Sequence, residues 1–340
     1  MKVLIIGGTG LISTGIVKAL AGTAQITVFN RGKTPNRLPA DVRCINGNRN
    51  EVGTLARYFG QGSAETFDAV IDMICFQGAQ ATEAVQVFAG RTSHFIFCST
   101  VCAYGNTQTE IPTTEATAPH PESSYGRNKL ECERIFLQAH AAGRLAVTIF
   151  RPSHTFGPGA NLINNLGWQN DFISRLRQGR PILISGDGHG LWQSAYCDDV
   201  GVGFAKAIGR AKTMGEIYNI VGSDVFTWDQ YTQRIAAALN APPPRLIHVA
   251  TDTLLELQPQ RYGGLAEIFR YHGVYSSDKI NRDIPEYRSA TSFSQAVCQT
   301  VAWMDAQPAT PQAQGLSPED AIIAAVSKMT AQLKPQLPEV

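Results

Sequence analysis

A tyrosine and a lysine placed four residues apart are the groups in this chain best suited to acid–base chemistry. Tyr125 and Lys129 lie where a predicted helix begins, so their side chains share one helical face. An isolated tyrosine has a pKa of ~10, which is too high for a base at neutral pH. A nearby ammonium, together with the positive ring of an oxidised nicotinamide cofactor, would bring that pKa toward the working range. The spacing alone is common by chance, so its meaning depends on its surroundings.

A second hydroxyl group is expected to meet this pair. The run 94–99 is typical of a buried strand, and Thr100 follows it directly, 25 residues before Tyr125. The carboxyl ends of parallel strands gather at one edge of a sheet, where ligands bind. We therefore expect Thr100 to approach Tyr125 and to share a substrate oxygen with it.

A glycine-rich turn near the start of the chain is typical of a pyrophosphate site. It spans residues 7–13 (GGTGLIS), follows an apolar strand and opens a helix, with Ser13 in place of the usual third glycine. Glycine lets the backbone approach a pyrophosphate closely, and the free helix N-terminus faces its charge. A tight turn without a ligand is the competing interpretation. The cofactor residues predicted here are Gly7, Thr9, Gly10, Leu11 and Ile12.

The end of the second predicted strand bears on the choice between NAD and NADP. NAD-selective sites usually carry a carboxylate about twenty residues past the glycine turn, where it holds the ribose hydroxyls. This chain has neutral Asn30 there, with Arg31 and Lys33 beside it. Arg31 could pair with a 2′-phosphate that a carboxylate would repel, so NADP is favoured over NAD. In the competing interpretation Arg31 is a solvated surface charge and NAD still binds.

Strand and helix patterns alternate through the first half of the chain. Strand-type runs at 3–6, 26–29, 67–74, 94–99 and 146–150 alternate with helix-type runs at 11–20, 79–89 and 130–139. This alternation predicts an α/β fold, a Rossmann-type doubly wound parallel sheet with a smaller C-terminal substrate-binding region. We place the NAD(P)-binding core at 1–155, with return segments at about 194–222, and the substrate-binding region at 156–193 and 223–306.

A separate tail is predicted at 307–340, where a Pro/Ala/Gln-rich linker precedes a helix. Ser317 and Pro318 form an N-cap signature. An apolar stripe with helical spacing follows, and it would dock on its own subunit or, alternatively, contact a second copy in a homodimer.

Composition narrows the classes of protein. The chain has 340 residues, 44% of them apolar and 17% charged, which excludes a disordered protein and a disulfide-stapled miniprotein. A net charge of +1 argues against a general nucleic-acid binder, which usually has a strong excess of basic residues. No window reaches the ~20 apolar residues that span a bilayer. The seven cysteines are an odd number and several lie in apolar runs, so we expect reduced packing residues of a cytoplasmic protein. No cluster has metal-ligand spacing, so no metal is predicted.

Several of these motifs together resemble a known family. The chain is similar to extended short-chain dehydrogenase/reductases of the NAD-dependent epimerase/dehydratase type over roughly residues 1–235. The matching segments are Gly7-Gly8-Thr9-Gly10, Ser99-Thr100 before Ala103-Tyr104-Gly105, Tyr125 to Lys129, Arg151-Pro152 with Gly157-Pro158-Gly159, Gly186-Asp187-Gly188, and Cys197-Asp198-Asp199-Val200. Residues 30–33 and 267–277 also resemble the branch that contains chloroplast stem-loop-binding proteins, some of which are linked to RNA.

The resemblance implies roles for individual residues. Tyr125 would be the catalytic acid or base, Lys129 would anchor the nicotinamide ribose, and Thr100 would stand in the position of the catalytic Ser or Thr. Asn48, where the family usually has Asp, would face the adenine. The remaining cofactor residues implied are Arg49, Met73, Ile74, Cys75, Ser99 and Pro152.

One departure from the family pattern bears on the substrate. Nucleotide-sugar epimerases usually carry an arginine shortly before the Asp-Asp-Val signature, where it grips the substrate diphosphate. The aligned position here is Trp192, and an indole cannot neutralise a diphosphate. Each candidate substrate residue also has a purely structural interpretation, as a packing, surface or hydrogen-bonded group. The candidates are Thr100, His154, Asn165, Trp168, Trp192 and Arg270.

Three functions follow from these patterns. The favoured one is an NAD(P)-dependent oxidoreductase or epimerase that acts on a secondary hydroxyl or ketone of a carbohydrate-like small molecule by Tyr-assisted hydride transfer. The alternatives are a stem-loop RNA-binding protein on a Rossmann scaffold and an NAD(P) sensor without turnover. The intact Tyr–Lys pair favours the enzyme.

Overall fold

The computed structural model describes residues 1–33, 38–60, 62–106, 110–168, 171–308 and 317–336. Its strands are β1 (Lys2–Ile6), β2 (Gln25–Asn30), β3 (Arg43–Asn46), β4 (Ala69–Asp72), β5 (Phe95–Cys98), β6 (Val147–Pro152), β7 (His154–Phe156), β8 (Ile182–Ser185), β9 (Leu191–Tyr196), β10 (Ile217–Ile220), β11 (Val225–Thr227) and β12 (Leu246–Val249). Its α-helices are α1 (Leu11–Leu20), α2 (Thr54–Phe59), α3 (Gly78–Phe88), α4 (Ser124–Ala141), α5 (Phe172–Arg177), α6 (Cys197–Ala207), α7 (Trp228–Ala238), α8 (Thr251–Leu257), α9 (Asp278–Asp283), α10 (Phe293–Asp305) and α11 (Pro318–Leu333). Short 3₁₀ turns cover Val101–Ala103, Ala211–Thr213 and Lys334–Gln336, and a π-helical turn covers Leu265–Phe269.

Seven parallel strands form the central sheet, in the order β10-β6-β5-β4-β1-β2-β3. The strands β4, β5 and β6 are buried along their whole length, as their continuous apolar runs require in a sheet covered on both faces. The chain builds outward from β1 in both directions, and Ile6 at the end of β1 lies beside Asp72 at the end of β4. Such a switch point opens a crevice beyond the carboxyl ends of the strands. The predicted doubly wound sheet is confirmed.

Helices cover both faces of this sheet. α1 and α6 pack on one face, and α2, α3 and α4 pack on the other. The backbones of α1 and α6 touch where they cross, because a Cβ added to Gly15 would lie 2.3 Å from the carbonyl oxygen of Cys197. Glycine at this crossing holds α1, and with it the glycine-rich turn, in a fixed place on the sheet.

A smaller region follows β6. Its strands form a three-stranded sheet in the order β11-β9-β7 and a parallel pair of β8 and β12. Trp192, Trp228 and Phe269 belong to its apolar cluster. The chain returns to the central sheet through α6 and β10. The boundaries of the substrate-binding region drawn from the sequence stay a prediction.

The tail helix is present at its expected place. The Ser317 side chain accepts a hydrogen bond from the Asp320 amide at 3.1 Å, and Pro318 begins α11. Glu319 pairs with Arg261, and Ile323 is buried in the cluster of the smaller region. The first turns of α11 therefore dock on their own chain. Residues 309–316 of the predicted linker and residues 337–340 lie outside the described residues.

Candidate active site

A cleft of about 350 Å³ lies beyond the carboxyl ends of β1, β4, β5 and β6. It is built from the glycine-rich turn, the loops after β4 and β5, the first turns of α4 and the segment that joins β6 to β7. Its lining residues are Gly7, Gly10, Leu11, Ile12, Ser13, Met73, Ile74, Phe76, Cys98, Ser99, Thr100, Tyr125, Lys129, Pro152, Ser153 and Thr155. Most of the cofactor and catalytic residues predicted from the sequence therefore meet at one place.

The glycine-rich turn is held tightly against the sheet. Gly7 has φ +89°, and a Cβ there would lie 2.6 Å from a side-chain carbon of Ile74. The Ser13 hydroxyl donates to the carbonyl of Gly7 at 2.7 Å, so this serine closes the turn that the usual third glycine would merely permit. Among the described residues, no side chain caps α1 at Gly10. The free amides of the first helical turn can therefore bind an anion such as a pyrophosphate.

The start of α4 brings Tyr125 to the strand edge. The Ser123 side chain accepts a hydrogen bond from the Gly126 amide at 3.0 Å and fixes the first turn. A Cβ on Gly126 would lie 2.4 Å from the carbonyl oxygen of Cys102, so this turn approaches the loop after β5 at backbone distance. Thr100 begins that loop, and its hydroxyl oxygen accepts from the Cys102 amide at 3.2 Å. Glycine between the tyrosine and the lysine is what allows the approach.

Lys129 is a buried ammonium group, with 1% of its surface exposed. Its Nζ donates to the carbonyl of Cys98 at 2.7 Å and lies 4.6 Å from the centre of the Phe76 ring and 4.8 Å from that of Phe97. Within the described part of the chain, no carboxylate pairs with it. Ring faces stabilise its charge, and its remaining protons are available to a bound ligand's oxygen atoms.

Tyr125 differs from the sequence-based expectation in its acidity. Burial raises the pKa of its hydroxyl well above the ordinary value, and a hydrogen bond with Thr100 acts in the opposite direction. Lys129 Nζ lies 6.0 Å from the centre of the Tyr125 ring, and this ammonium alone does not produce the expected lowering. The hydroxyl is therefore protonated at neutral pH and can act as a proton donor.

A buried ion pair supports the cleft from behind. Arg151 Nε donates to Glu133 Oε1 at 2.9 Å and its second nitrogen to Oε2 at 2.5 Å. The Ser99 hydroxyl also donates to Glu133, and the Arg151 guanidinium lies 4.4 Å from the centre of the Tyr104 ring. Ser99 lines the cleft, but its hydroxyl is engaged in this network. The pair ties α4 to the ends of β5 and β6.

The residues predicted for the adenosine end lie at the end of β2 and after β3. Asn30 Oδ1 accepts from the Gly32 amide at 2.7 Å, which leaves Arg31 and Lys33 exposed on a tight turn. Asn48 donates to Glu51 at 3.2 Å and is partly exposed. Arg31 and Lys33 can therefore reach a ligand, but neither lines the cleft described above.

Two further predicted cofactor residues, Arg49 and Cys75, are absent from the lining of the cleft because their side chains are engaged elsewhere. Arg49 is 2% exposed, and its guanidinium is used by Asp72, Glu83 and the carbonyl of Gln80. Cys75 is fully buried, with its Sγ 3.7 Å from that of Cys132. Both side chains are turned into the core, where they stabilise the loop rather than face a ligand.

Of the six predicted substrate residues, Thr100 lines the cleft, and the other five fall into two groups outside its lining. His154, Trp168 and Trp192 lie together, with ring centres 5.8–6.0 Å from His154 to either indole. Asn165 is 1% exposed and both ends of its amide pair with the backbone of Ser185, and Arg270 pairs with Asp252. The structure does not bring Asn165 or Arg270 to the cleft.

Five residues that line the cleft are not among the site residues predicted from the sequence: Ser13, Phe76, Cys98, Ser153 and Thr155. Phe76 is 40% exposed and lies 6.4 Å from the Tyr125 ring, centre to centre. Its position four residues after β4 gives no signal, because its contact with Lys129 depends on tertiary structure. Across the described residues, no group of three or more His, Cys, Asp or Glu could hold a metal ion, and no helix is long and apolar enough to cross a membrane.

The family model described as "NAD dependent epimerase/dehydratase family" matches residues 3–221. A 2′-dehydrokanamycin reductase of Streptomyces kanamyceticus is 28% identical over 305 residues, which cover 89% of this chain and 84% of that protein. The chloroplast stem-loop binding protein of 41 kDa b of Arabidopsis thaliana is 28% identical over 263 residues, which cover 73% of this chain and 65% of that protein.

Solved structures share the fold at low identity. A dTDP-glucose 4,6-dehydratase of Bacillus anthracis in complex with NAD has a TM-score of 0.70 at 17% identity, covering 90% of this chain and 96% of its own. A UDP-glucuronic acid 4-epimerase of Bacillus cereus in complex with NAD has a TM-score of 0.67 at 16% identity, covering 90% of this chain and 99% of its own.

Proposed function

Because the chain belongs to the NAD-dependent epimerase/dehydratase family, we propose that it is an NADPH-dependent reductase of a ketone on a carbohydrate-like molecule. The observation that carries the proposal is the meeting of Tyr125, Thr100 and Lys129 in one cleft with the glycine-rich turn. In reduction the ketone oxygen must receive a proton, and the protonated Tyr125 hydroxyl is placed in the cleft to supply it.

The residues of the cleft suit a dinucleotide. The tight turn at Gly7 and the uncapped start of α1 would hold its pyrophosphate, and the buried ammonium of Lys129 would hold its nicotinamide ribose. The bound nicotinamide would supply hydride to the carbonyl carbon. Thr100 would donate a hydrogen bond to the carbonyl oxygen, and Tyr125 would transfer its proton to that oxygen, so that an alcohol leaves. Lys129 would keep the resulting tyrosinate charge stabilised until a solvent proton replaces the one transferred.

Preference for NADP rests on Arg31. Arg31→Ala should raise the Kd for NADPH about tenfold and leave that for NADH nearly unchanged, since hydrogen bonds to charged groups contribute about 1.5–3 kcal/mol. Arg31→Lys is the matched control, because it keeps the charge but loses the two-pronged contact. Its Kd for NADPH should lie between those of the wild-type protein and Arg31→Ala. Fluorescence titration with both cofactors measures this. Equal losses for NADH and NADPH would contradict a contact with the 2′-phosphate.

The substrate we propose is a keto-glycoside that carries no nucleotide diphosphate. The relative from Streptomyces kanamyceticus is named for reduction of 2′-dehydrokanamycin, and the match spans most of both chains. Trp192 stands where a diphosphate-binding arginine would be, and Arg270 is paired with Asp252. These features weigh against a UDP- or dTDP-sugar.

The test is a mixture of purified protein, NADPH and 2′-dehydrokanamycin, followed by the absorbance of the reduced nicotinamide. A reductase consumes one NADPH for each ketone reduced. An epimerase returns the hydride to its substrate, so no loss of NADPH with the ketone, together with inversion of the corresponding alcohol in the presence of NADP⁺ and no net change of cofactor, would replace reduction by epimerisation. The homodimer and the cytoplasmic location remain predictions.

A second candidate function is RNA binding, favoured by the similarity to the chloroplast stem-loop binding protein. The near-neutral charge weighs against it. Titration with stem-loop RNA at physiological salt separates the two: binding of RNA without binding of NADPH would favour this candidate. Binding of NADPH with no turnover on a broad panel of ketones would instead indicate a cofactor sensor.

A further inference from the structure

Beside the cleft lies a group of aromatic side chains that we call the aromatic cluster: His154, Trp168, Trp192 and Phe269. The His154 ring lies 6.0 Å from Trp168 and 5.8 Å from Trp192, and Phe269 packs edge-on against Trp168 at 5.3 Å, centre to centre. Three members are largely buried, but Trp168 is 61% exposed. A large indole held in place and left open to solvent is the kind of surface on which a sugar ring stacks.

Two connections join the aromatic cluster to the catalytic residues. Ser153 lines the cleft, and the next residue along the chain, His154, turns its ring into the cluster. On the other side, the π-helical turn that carries Phe269 is bonded to the loop after Thr100, because Asn106 donates to the carbonyl of Glu267. The cluster is therefore connected both to the segment after β6 and to the loop after Thr100.

The hydrogen bonds around His154 are compatible with a proton on its Nε2 atom. The Trp192 indole N–H donates to Ser194 Oγ at 3.0 Å, and an indole can only donate. Ser194 has a single proton, and His154 Nδ1 lies 3.0 Å from the same oxygen. Burial lowers the pKa of His154 to about 4, so the ring is neutral at pH 7. In the tautomer that we adopt, Ser194 donates to Nδ1 and His154 carries its proton on Nε2.

Two polar atoms at this end of the cleft have no partner within the described part of the chain. Ser153 is 7% exposed, and its hydroxyl is buried with no hydrogen bond. No described residue bonds to His154 Nε2 either. Buried hydroxyl groups are normally satisfied, so an orphan that lines a cleft points to a ligand.

The charges around the cluster weigh against a phosphate. Arg270, on the π-helical side, is paired with Asp252, and the exposed Glu267 would repel an anion. His154 is uncharged and Trp192 has no charge to offer. The donors here suit ring oxygens and hydroxyl groups.

We propose that the aromatic cluster is the distal half of the substrate site and binds a phosphate-free sugar ring. Trp168 stacks on the C–H face of the ring, His154 Nε2–H donates to one of its oxygens, and Ser153 bonds to the substrate where it passes from the cleft. This rests on the proposed function in that the ring bearing the ketone sits at Tyr125. Trp192 takes part as a positioning residue, since it fixes His154 through Ser194.

Calorimetric titration of the NADP-saturated protein tests the proposal without turnover. The probes are kanamycin, sucrose and methyl glucoside, with UDP-glucose for comparison. We expect at least one phosphate-free probe to bind more tightly than UDP-glucose. Tighter binding of UDP-glucose, or no binding of any phosphate-free probe, would overturn the proposal.

Variants locate the contact. Trp168→Ala, at an exposed position, should weaken the bound probe about tenfold. His154→Asn keeps a group near the Nδ1 position but loses the donor at Nε2, and should weaken probe binding by a similar factor. His154→Gln keeps a donor near Nε2, and its Kd for the probe should stay within about threefold of the wild-type value. Affinity for NADPH should be unchanged in all three. Wild-type probe affinity in Trp168→Ala and His154→Asn would overturn this site alone, while probe binding without any ketone reduction would overturn the reductase and leave the site standing.

Discussion

Replacing Tyr125 with phenylalanine is expected to lower the kcat for ketone reduction by about 10²–10⁴ while the Kd for NADPH stays within about twofold. The change removes the proton that the ketone oxygen must receive and keeps the ring that packs near Phe76 and Lys129. Because burial holds the pKa of Tyr125 above its ordinary value, the wild-type rate should be flat across neutral pH and fall only in strongly alkaline solution, as the hydroxyl deprotonates.

A second tyrosine provides the matched control. Tyr218 lies on β10, and its hydroxyl donates to Asp283 at 3.0 Å, away from the residues that line the cleft. Tyr218→Phe should keep nearly full kcat. Full activity in Tyr125→Phe, or an equal loss in both variants, would remove Tyr125 from the chemistry.

The second large effect concerns stability. Glu133→Ala should lower the free energy of unfolding by about 3–5 kcal/mol, since it leaves the guanidinium of Arg151 buried without its carboxylate. The Ser99 hydroxyl loses its acceptor at the same time. Urea denaturation followed by circular dichroism measures the loss.

Glu131 on the same helix serves as the control, because it is exposed and has the same charge. Glu131→Ala should change the free energy of unfolding by less than about 1 kcal/mol. Similar urea midpoints for the two alanine variants would show that the buried ion pair contributes little to the free energy of unfolding. A double variant with methionine at both Glu133 and Arg151 would separate the stability that the ion pair contributes from the destabilisation caused by one unpaired buried charge. Proteins in which both members of a buried pair are replaced by apolar residues often lose no stability.

Most strands of the central sheet and the shared helical face of Tyr125 and Lys129 could be predicted from the sequence because they leave local signals. The edge strand β3 has no apolar run and was not predicted. Apolar runs predicted the strands, although the run 67–74 contains a strand only at Ala69–Asp72, since the residues after it leave the sheet to form the cleft. The spacing of Tyr125 and Lys129 predicted a shared helical face, and both residues line the cleft.

Contacts between side chains that are distant in sequence could not be predicted from such local signals. Arg49 was a reasonable cofactor residue by position, but Asp72 and Glu83 take its guanidinium into the core. Asn165 was predicted to contact the substrate, but its side-chain amide donates to the backbone carbonyl of Ser185, twenty residues later. Phe76 carried no recognisable signal, because its contact with Lys129 joins two elements that only the folded chain brings together.

The most direct test of hydride transfer uses NADPH labelled with deuterium at C4 of the nicotinamide, on each face in turn. Mass spectrometry of the alcohol formed from 2′-dehydrokanamycin should show one deuterium on the new carbinol carbon with one labelled face and none with the other. An alcohol without deuterium from both labelled cofactors, or no alcohol at all from any ketone glycoside tried, would contradict the account of this chain as a reductase.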